Sequence, residues 1–233
     1  MNSITFVTPE AQAKHVAEEV SALLASAITS RGTAILAVSG GKSPIRLFEM
    51  LRTQSIAWDR VTICLVDERW VPPDHARSNE KLVRDCLMQG NASPATFISV
   101  YNAGSTPVEA AAALSAMFSD AAPLSSPVDV AILGMGDDGH TASWFPRSRE
   151  LGHCFSSRQA YAAVSAEEGR DARVTMTLSA LTKARKIILC LEGDVKRAVL
   201  AKAAESSDKE SMTQYPVSAV LRLRGDQVSI RVA

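Results

Sequence analysis

Short apolar runs alternate along this chain with longer segments whose apolar residues recur at helical spacing. Parallel strands need a crossover connection, which is usually a helix. The alternation therefore predicts an α/β fold, with a mostly parallel central sheet covered by helices on both faces. The 233 residues show no internal repeat and no firm domain boundary, so we expect one domain over residues 1–233. Strands are expected over residues 4–7, 33–38, 61–66, 128–133 and 186–191.

Helix limits are predicted from capping residues and apolar periodicity. Thr8 and Pro9 supply an N-cap and a first-turn proline, and Gly32 marks the end of the helix that they begin. The segment 106–109, Thr-Pro-Val-Glu, combines a capping box with a first-turn proline. We expect helices over residues 9–31, 78–89, 107–118 and 194–204, a connector over 121–128 and a polar loop over 208–215.

The composition excludes several classes of protein. Charge is balanced, with 25 basic and 25 acidic residues, so no broad field favours binding to nucleic acid or to an anionic membrane. No signal peptide is apparent, and no window approaches the roughly 18 apolar residues of a membrane span. The cysteines are far apart, which favours reduced thiols in a cytoplasmic protein, and no Cys/His spacing suggests a metal site. They are Cys64, Cys86, Cys154 and Cys190.

A glycine loop follows the strand predicted over residues 33–38. Two glycines before a helix start present several backbone N–H groups in one concavity, which suits a phosphate. Ser43 is a natural N-cap and Pro44 a natural first helical residue, so a helix should begin there. The spacing is neither a Walker motif nor a dinucleotide fingerprint, and a simple tight turn is the alternative. The loop reads Ser39, Gly40, Gly41, Lys42, Ser43 and Pro44.

A second polar cluster follows the strand predicted over residues 61–66. Asp67, Glu68 and Arg69 can position a substrate hydroxyl and neutralise an anion, although a solvated turn with a local salt bridge would have the same composition. Shortly afterwards, the segment 77–79, Arg-Ser-Asn, can cap the next helix while its arginine reaches back.

The loop at residues 134–146 follows the strand predicted over residues 128–133. Three glycines, two carboxylates and a histidine are crowded into it, in a segment too short to build a core. His140 can exchange a proton near neutral pH, and Asp138 is its expected neighbour. In an open parallel sheet, ligands bind beyond the carboxyl ends of the strands, so the three polar loops should meet at one edge. Together they predict a site for acid–base chemistry on an anionic ligand.

These three motifs, in this order, resemble the 6-phosphogluconolactonase family in its short bacterial form, and the resemblance covers almost the whole chain. Two departures are Ser43, where threonine is commoner, and Trp144, where an aliphatic residue is commoner and where the pocket wall is expected to change shape. The resemblance is carried by residues 39–44, by 67–72 with 78–79, and by 133–143.

The resemblance implies a Rossmann-like fold of the NagB/RpiA/CoA transferase-like kind. It also implies hydrolysis of 6-phospho-D-glucono-1,5-lactone in the pentose phosphate pathway, without metal or cofactor. The partner is then a phosphosugar lactone, and the protein is a cytoplasmic monomer or weak homo-oligomer. His140 is expected to act as the base and Asp138 as its partner, while Asp67 holds sugar hydroxyls. Substrate or phosphate contacts are expected from Ser39, Gly40, Gly41, Lys42 and Arg69, and by family match from Arg173 and Lys196.

Two rival functions fit part of this pattern. Glucosamine-6-phosphate deaminase shares the glycine loop and the Asp-Gly-His element, but the segment 67–72 with Ser78 and Asn79 favours the lactonase. A sugar-phosphate-sensing domain of a transcription regulator can use a related fold, but it needs a helix-turn-helix, and this chain begins with the first strand of the domain. A catalytic serine is not expected, since no nucleophile elbow surrounds Ser143.

Overall fold

The computed structural model describes residues 2–119, 124–205, 209–223 and 225–233. Its strands are β1 (Asn2–Thr5), β2 (Ala34–Val38), β3 (Val61–Leu65), β4 (Asp67–Arg69), β5 (Thr96–Phe97), β6 (Val130–Leu133), β7 (Tyr161–Val164), β8 (Arg173–Met176), β9 (Lys186–Leu191) and β10 (Val228–Val232). Its α-helices are α1 (Pro9–Arg31), α2 (Pro44–Leu51), α3 (Asn79–Cys86), α4 (Pro107–Met117), α5 (Leu151–Ser156), α6 (Leu178–Lys183), α7 (Asp194–Glu205), α8 (Lys209–Gln214) and α9 (Val217–Leu221).

Seven parallel strands form the central sheet, in the order β1-β10-β9-β6-β2-β3-β5. This confirms the predicted α/β class with a mostly parallel sheet. The three middle strands β9, β6 and β2 end together, because Val38 pairs with Ile132 and Leu133 pairs with Leu189. The loops that follow these strands therefore leave the sheet at one edge.

A second, antiparallel sheet of three strands lies beside the first, in the order β4-β8-β7. The prediction that residues 67–72 form only a loop was wrong for its first part, because Asp67–Arg69 is strand β4. The chain passes from β3 into β4 through Val66, whose N–H donates to Val38 O, and Met176 N–H in turn donates to Val66 O. The polar segment after β3 is therefore held as strand β4 by pairing with β8, a partner more than 100 residues away in sequence.

The strongest capping signals are confirmed. The Thr8 hydroxyl accepts from Ala11 N–H at the start of α1, and Gly32 ends that helix at a φ of 81°. Thr106 and Glu109 form the expected capping box on α4. Ser43 is the residue before α2 but has helical dihedral angles, and its side chain makes no capping hydrogen bond.

Two connecting segments have different outcomes. The predicted polar loop over residues 208–215 was wrong where it is described, since Lys209–Gln214 forms α8. Residue 208, and residues 121–123 of the predicted connector, lie outside the described residues.

The core forms between the central sheet and its helices. Strands β2, β6 and β10 are buried along their whole length, and the apolar face of α1 packs against the sheet through Val16, Val20 and Leu24. Burial of this kind on both faces is expected for parallel strands covered by helices. Over the described parts of the chain, no helix is long and apolar enough to span a membrane. All four cysteines carry free thiols.

Candidate active site

A pocket of about 360 Å³ opens at the carboxyl edge of the central sheet. Nine of the ten residues that the sequence assigns to the site line it, and the tenth, Asp138, lies behind His140. The convergence expected from three separate loops is therefore present. The nine are Ser39, Gly40, Gly41, Lys42, Asp67, Arg69, His140, Arg173 and Lys196.

The glycine loop owes its shape to close contact with α3. A side chain at Gly40 would overlap the amide of Asn79, since a Cβ there would lie 1.8 Å from Asn79 Oδ1. Asn79 is buried, and its Nδ2 donates to Asp67 O at 2.8 Å. Within the described residues, Ser39 Oγ and Asn79 Oδ1 are buried without a hydrogen-bond partner. Both residues line the pocket, and Asn79 Oδ1 is packed against Gly40.

His140 is held by the carboxylate of Asp138. Asp138 Oδ1 lies 2.6 Å from His140 Nδ1 and accepts from His140 N–H at 3.0 Å. This geometry identifies Asp138, rather than Asp137, as the partner. With Nδ1–H donating to the carboxylate, Nε2 is left as the basic nitrogen. The imidazole is partly exposed, at 34%, so water can reach it.

The electrostatics of this pair favour a charged carboxylate. Burial acts to raise the pKa of Asp138, but the hydrogen bond and charge of His140, with backbone N–H groups, outweigh it and hold the pKa below its ordinary value. The tight turn depends on Gly136, because a Cβ there would lie 2.2 Å from the ring atoms of His140. The ring of His140 therefore lies directly against the backbone of Gly136 in the same loop.

Four cationic side chains border the pocket, against two acidic ones, Asp67 and Glu192. Arg69 and Arg173 are register partners on β4 and β8 and so enter from the small sheet. Lys42 follows β2, and Lys196 lies in the first turn of α7 after β9, so both enter from the large sheet. Burial lowers the pKa of Arg173, while the charge of Asp67 opposes that effect. The cations have few carboxylates to neutralise them, which suits an anionic ligand.

Asp67 is 8% exposed and accepts from Ser143 Oγ at 2.6 Å. Its neighbour Glu68 has a different task. Glu68 points away from the pocket and accepts from Ser78 Oγ and from the backbone N–H groups of Asn79 and Glu80, at 2.7–3.0 Å. Burial raises the pKa of Glu68, against the opposing effect of those hydrogen bonds. Glu68 is therefore a buried cap for α3, and of the two adjacent acids only Asp67 reaches the pocket.

The expectation that Trp144 reshapes the pocket wall was wrong. Its side chain is fully buried, its Nε1–H donates to Met176 O at 2.9 Å, and its ring meets Phe155 edge-on. The aromatic wall is the next residue, Phe145, whose ring centroid lies 5.0 Å from that of His140. The Cζ of Arg173 lies 5.8 Å from the same Phe145 centroid.

Sequence reasoning missed other residues of the pocket, mainly where helix α1 meets it. Gln12 is buried in the first turn of α1, and its Nε2 donates to Leu191 O and Arg231 O at 2.8 Å. A glutamine early in a helix is usually a surface residue, and no motif in the sequence marks this one as buried. Glu192 was missed because it follows β9 without a motif. No group of three or more His, Cys, Asp or Glu side chains suited to a metal occurs among the described residues.

The family model for glucosamine-6-phosphate isomerases/6-phosphogluconolactonase matches residues 7–229. The chain belongs to this family. It is 42% identical over 231 residues to the 6-phosphogluconolactonase of Rhizobium meliloti, covering 98% of this chain and 97% of that protein. It is 40% identical over 213 residues to that of Pseudomonas aeruginosa, covering 91% and 87%.

Solved structures agree with this assignment. A 6-phosphogluconolactonase from Shewanella baltica matches with a TM-score of 0.92 at 38% identity, covering 100% of this chain and 98% of that one. A monomeric glucosamine-6-phosphate deaminase matches with a TM-score of 0.81 over 100% and 97% of the two chains, but at 18% identity. That second likeness concerns the fold alone.

Replacing Glu68 by alanine should destabilise the protein by about 3 kcal/mol, because buried N–H donors at the start of α3 lose their acceptor. Urea denaturation followed by circular dichroism measures this. Glu109→Ala is the matched control, since Glu109 also caps a helix but is exposed, and its urea midpoint should shift less. Equal shifts in the two variants would show that burial of the Glu68 cap is unimportant.

Proposed function

We propose that this protein hydrolyses 6-phospho-D-glucono-1,5-lactone to 6-phospho-D-gluconate, the lactonase step of the oxidative pentose phosphate pathway. One observation carries the proposal: an imidazole held 2.6 Å from a carboxylate borders a pocket with four cationic side chains. An acid–base group beside an anion site is what a phosphorylated lactone needs. Relatives at 36–42% identity bear the lactonase name, which supports this reaction over deamination.

The substrate phosphate is bound by the cations and by backbone donors. Gly40 and Gly41 precede α2 and present N–H groups at its start, where the helix dipole favours an anion. Side chains that reach the pocket from both sheets can also bind phosphate oxygens, with charge-assisted hydrogen bonds. These side chains are Lys42, Arg69, Arg173 and Lys196.

His140 acts first as a base and then as an acid. Its Nε2 takes a proton from a water molecule, whose oxygen bonds to the lactone carbonyl carbon and creates an oxyanion. When the carbon–oxygen bond of the ring breaks, the imidazolium returns that proton to the leaving ring oxygen. Asp138 holds the Nδ1–H throughout and stabilises the imidazolium, as the short contact between the two side chains favours.

Asp67 and the neighbouring polar groups hold the sugar. The carboxylate of Asp67 accepts from substrate hydroxyls, while the hydroxyl of Ser39, which also lines the pocket, can donate to a substrate oxygen. Binding energy from hydroxyls and phosphate positions the carbonyl carbon near His140, which is how remote contacts accelerate a reaction.

We extend the proposal to the domain organisation, compartment and partners of the protein. We take residues 1–233 as one lactonase domain that acts in the cytoplasm as a monomer or weak homo-oligomer, without metal or cofactor. Its partner is the phosphosugar lactone, and neither nucleic acid nor membrane takes part.

The direct test uses freshly generated 6-phosphogluconolactone. Acid release, followed with a pH indicator, should exceed the spontaneous rate in proportion to protein concentration, because the protein supplies a base at the carbonyl. The rival is tested in parallel by ammonia release from glucosamine 6-phosphate. Acid release no faster than in buffer alone refutes the proposal, and ammonia release would establish the deaminase.

His140 and Asp138 should both be needed for turnover, but for different reasons. His140→Ala should lower kcat by about 10²–10⁴-fold and retain product binding, because only the base is lost. Asp138→Asn should lower kcat by up to about 10⁴-fold, because an amide can donate to Nδ1 and move the proton to Nε2. Both are measured by initial rates, with calorimetric binding of 6-phosphogluconate as the control. Near-normal turnover of His140→Ala would exclude it as the essential base.

Arg173→Ala should act mainly on substrate binding. Loss of a partly buried cation at the pocket should raise KM by about tenfold or more, with a smaller effect on kcat. Arg185→Ala is the matched control, since Arg185 pairs with Asp129 at 3.2 Å just before the amino end of β9, away from the pocket. An unchanged KM in Arg173→Ala would remove this residue from the phosphate site.

A further inference from the structure

Ser143 joins the loop that carries His140 to the small antiparallel sheet. Its side chain is fully buried, and its Oγ donates to Asp67 Oδ2 at 2.6 Å across a sequence separation of 76 residues. Its backbone N–H donates to Thr175 Oγ1 at 3.1 Å. Asp67 and Thr175 face each other in the register of β4 and β8. One residue is thus bound to both strands at the point where they pair.

The hydrogen bond to Asp67 determines which carboxylate oxygen is available. Oδ2 is occupied by the Ser143 hydroxyl, whereas Oδ1 accepts no hydrogen bond from any described residue. Asp67 lines the pocket, and its charge acts on Arg173, which is two residues from Thr175 on the same face of β8. When a hydrogen bond holds one oxygen of a carboxylate, the direction of the other oxygen is defined. A hydrogen bond from a hydroxyl to a carboxylate is also strong in a buried place.

The backbone next to Ser143 is held in a rarely populated conformation. Ala142 has a φ of 50°, in the left-handed region that residues with a side chain seldom adopt. Such a conformation persists where surrounding contacts enforce it. The bridge between Thr141 and Trp144, together with the two hydrogen bonds of Ser143, supplies those contacts. The chain is therefore turned so that His140 faces the pocket while Ser143 faces the small sheet.

We propose that Ser143 is a positioning residue that acts through Asp67. It aims the free oxygen of Asp67 at the substrate and fixes the distance between that oxygen and the imidazole of His140. Ser143 itself forms no bond to substrate. This inference rests on the proposed lactonase function, because its kinetic effect concerns where the sugar is held relative to the base.

A merely structural hydroxyl would have a different signature. Loss of a buried hydrogen bond lowers stability whatever the bond does, so instability alone is not informative. A positioning residue lowers kcat more than it raises KM, and its effect vanishes once the group through which it acts is altered. The second property separates the two roles.

The experiment is a double-mutant cycle of Ser143→Ala and Asp67→Ala, with initial rates on 6-phosphogluconolactone and urea denaturation measured for each protein. Ser143→Ala should lower kcat by about tenfold and change KM by less than about threefold. In the Asp67→Ala background, where Ser143 has no acceptor at position 67, the same change should alter kcat by less than about twofold. The urea midpoints should likewise be non-additive.

Ser115→Ala is the control. Ser115 Oγ also links two elements, since it donates to Ala111 O and accepts from Tyr161 N–H, but it lies outside the pocket. Its loss should lower the urea midpoint and leave kcat unchanged.

Each outcome bears on a different claim. A kcat for Ser143→Ala near that of the parent, or an equal loss in both backgrounds, overturns the positioning role. Additive urea midpoints overturn the link between Ser143 and Asp67, whether or not the protein is active. A parent protein without lactone turnover refutes the proposed function, and non-additive midpoints would then preserve only the link. A tenfold loss of kcat that disappears in the Asp67→Ala background supports both the positioning role and the proposed function.

Discussion

The parallel alignment of β2, β6 and β9 is the constraint on which the rest of the site depends. Because these strands run in one direction and end in register, the three loops that follow them leave from one edge. Each loop contributes one kind of group: backbone donors before α2, the imidazole after β6, and a lysine at the start of α7. An antiparallel arrangement would send alternate loops to opposite ends of the sheet and separate these groups.

The small antiparallel sheet adds what the large one lacks. It introduces Arg69 and Arg173 beside each other, together with the buried carboxylate of Asp67. Confined charges of this kind are costly unless they are paired or hydrogen-bonded. Asp67 is stabilised by Ser143 and by attraction to Arg173, whereas excess positive charge remains at the pocket for an anion to neutralise. The affinity of the pocket for an anion therefore depends on positive charges that the folded chain only partly neutralises.

Local signals in the sequence predicted five of the seven strands of the large sheet and seven of the residues that line the pocket, because strand ends, glycine pairs and capping residues act over a few positions. Arg173 and Lys196 carry no such signal and were assigned by the family resemblance. The small sheet was not predicted, since β4 has only three polar residues and is stable only through its distant partner β8. The same reason explains Trp144. Its place in a polar motif indicated the pocket wall, yet only the tertiary contact with Met176 shows that it points inward. Helix α8 was missed because its polar composition resembled a loop.

Gly136 shows how a neighbour's chemistry can restrict a position that binds nothing. Its backbone is not among the described glycines with a left-handed φ, so an alanine there would meet little conformational strain. What it lacks room for is the methyl group, because the ring of His140 occupies that volume at 2.2 Å. Alanine at this position would therefore displace the imidazole of His140 rather than strain the backbone. The volume that the His140 ring occupies thus restricts position 136 to glycine.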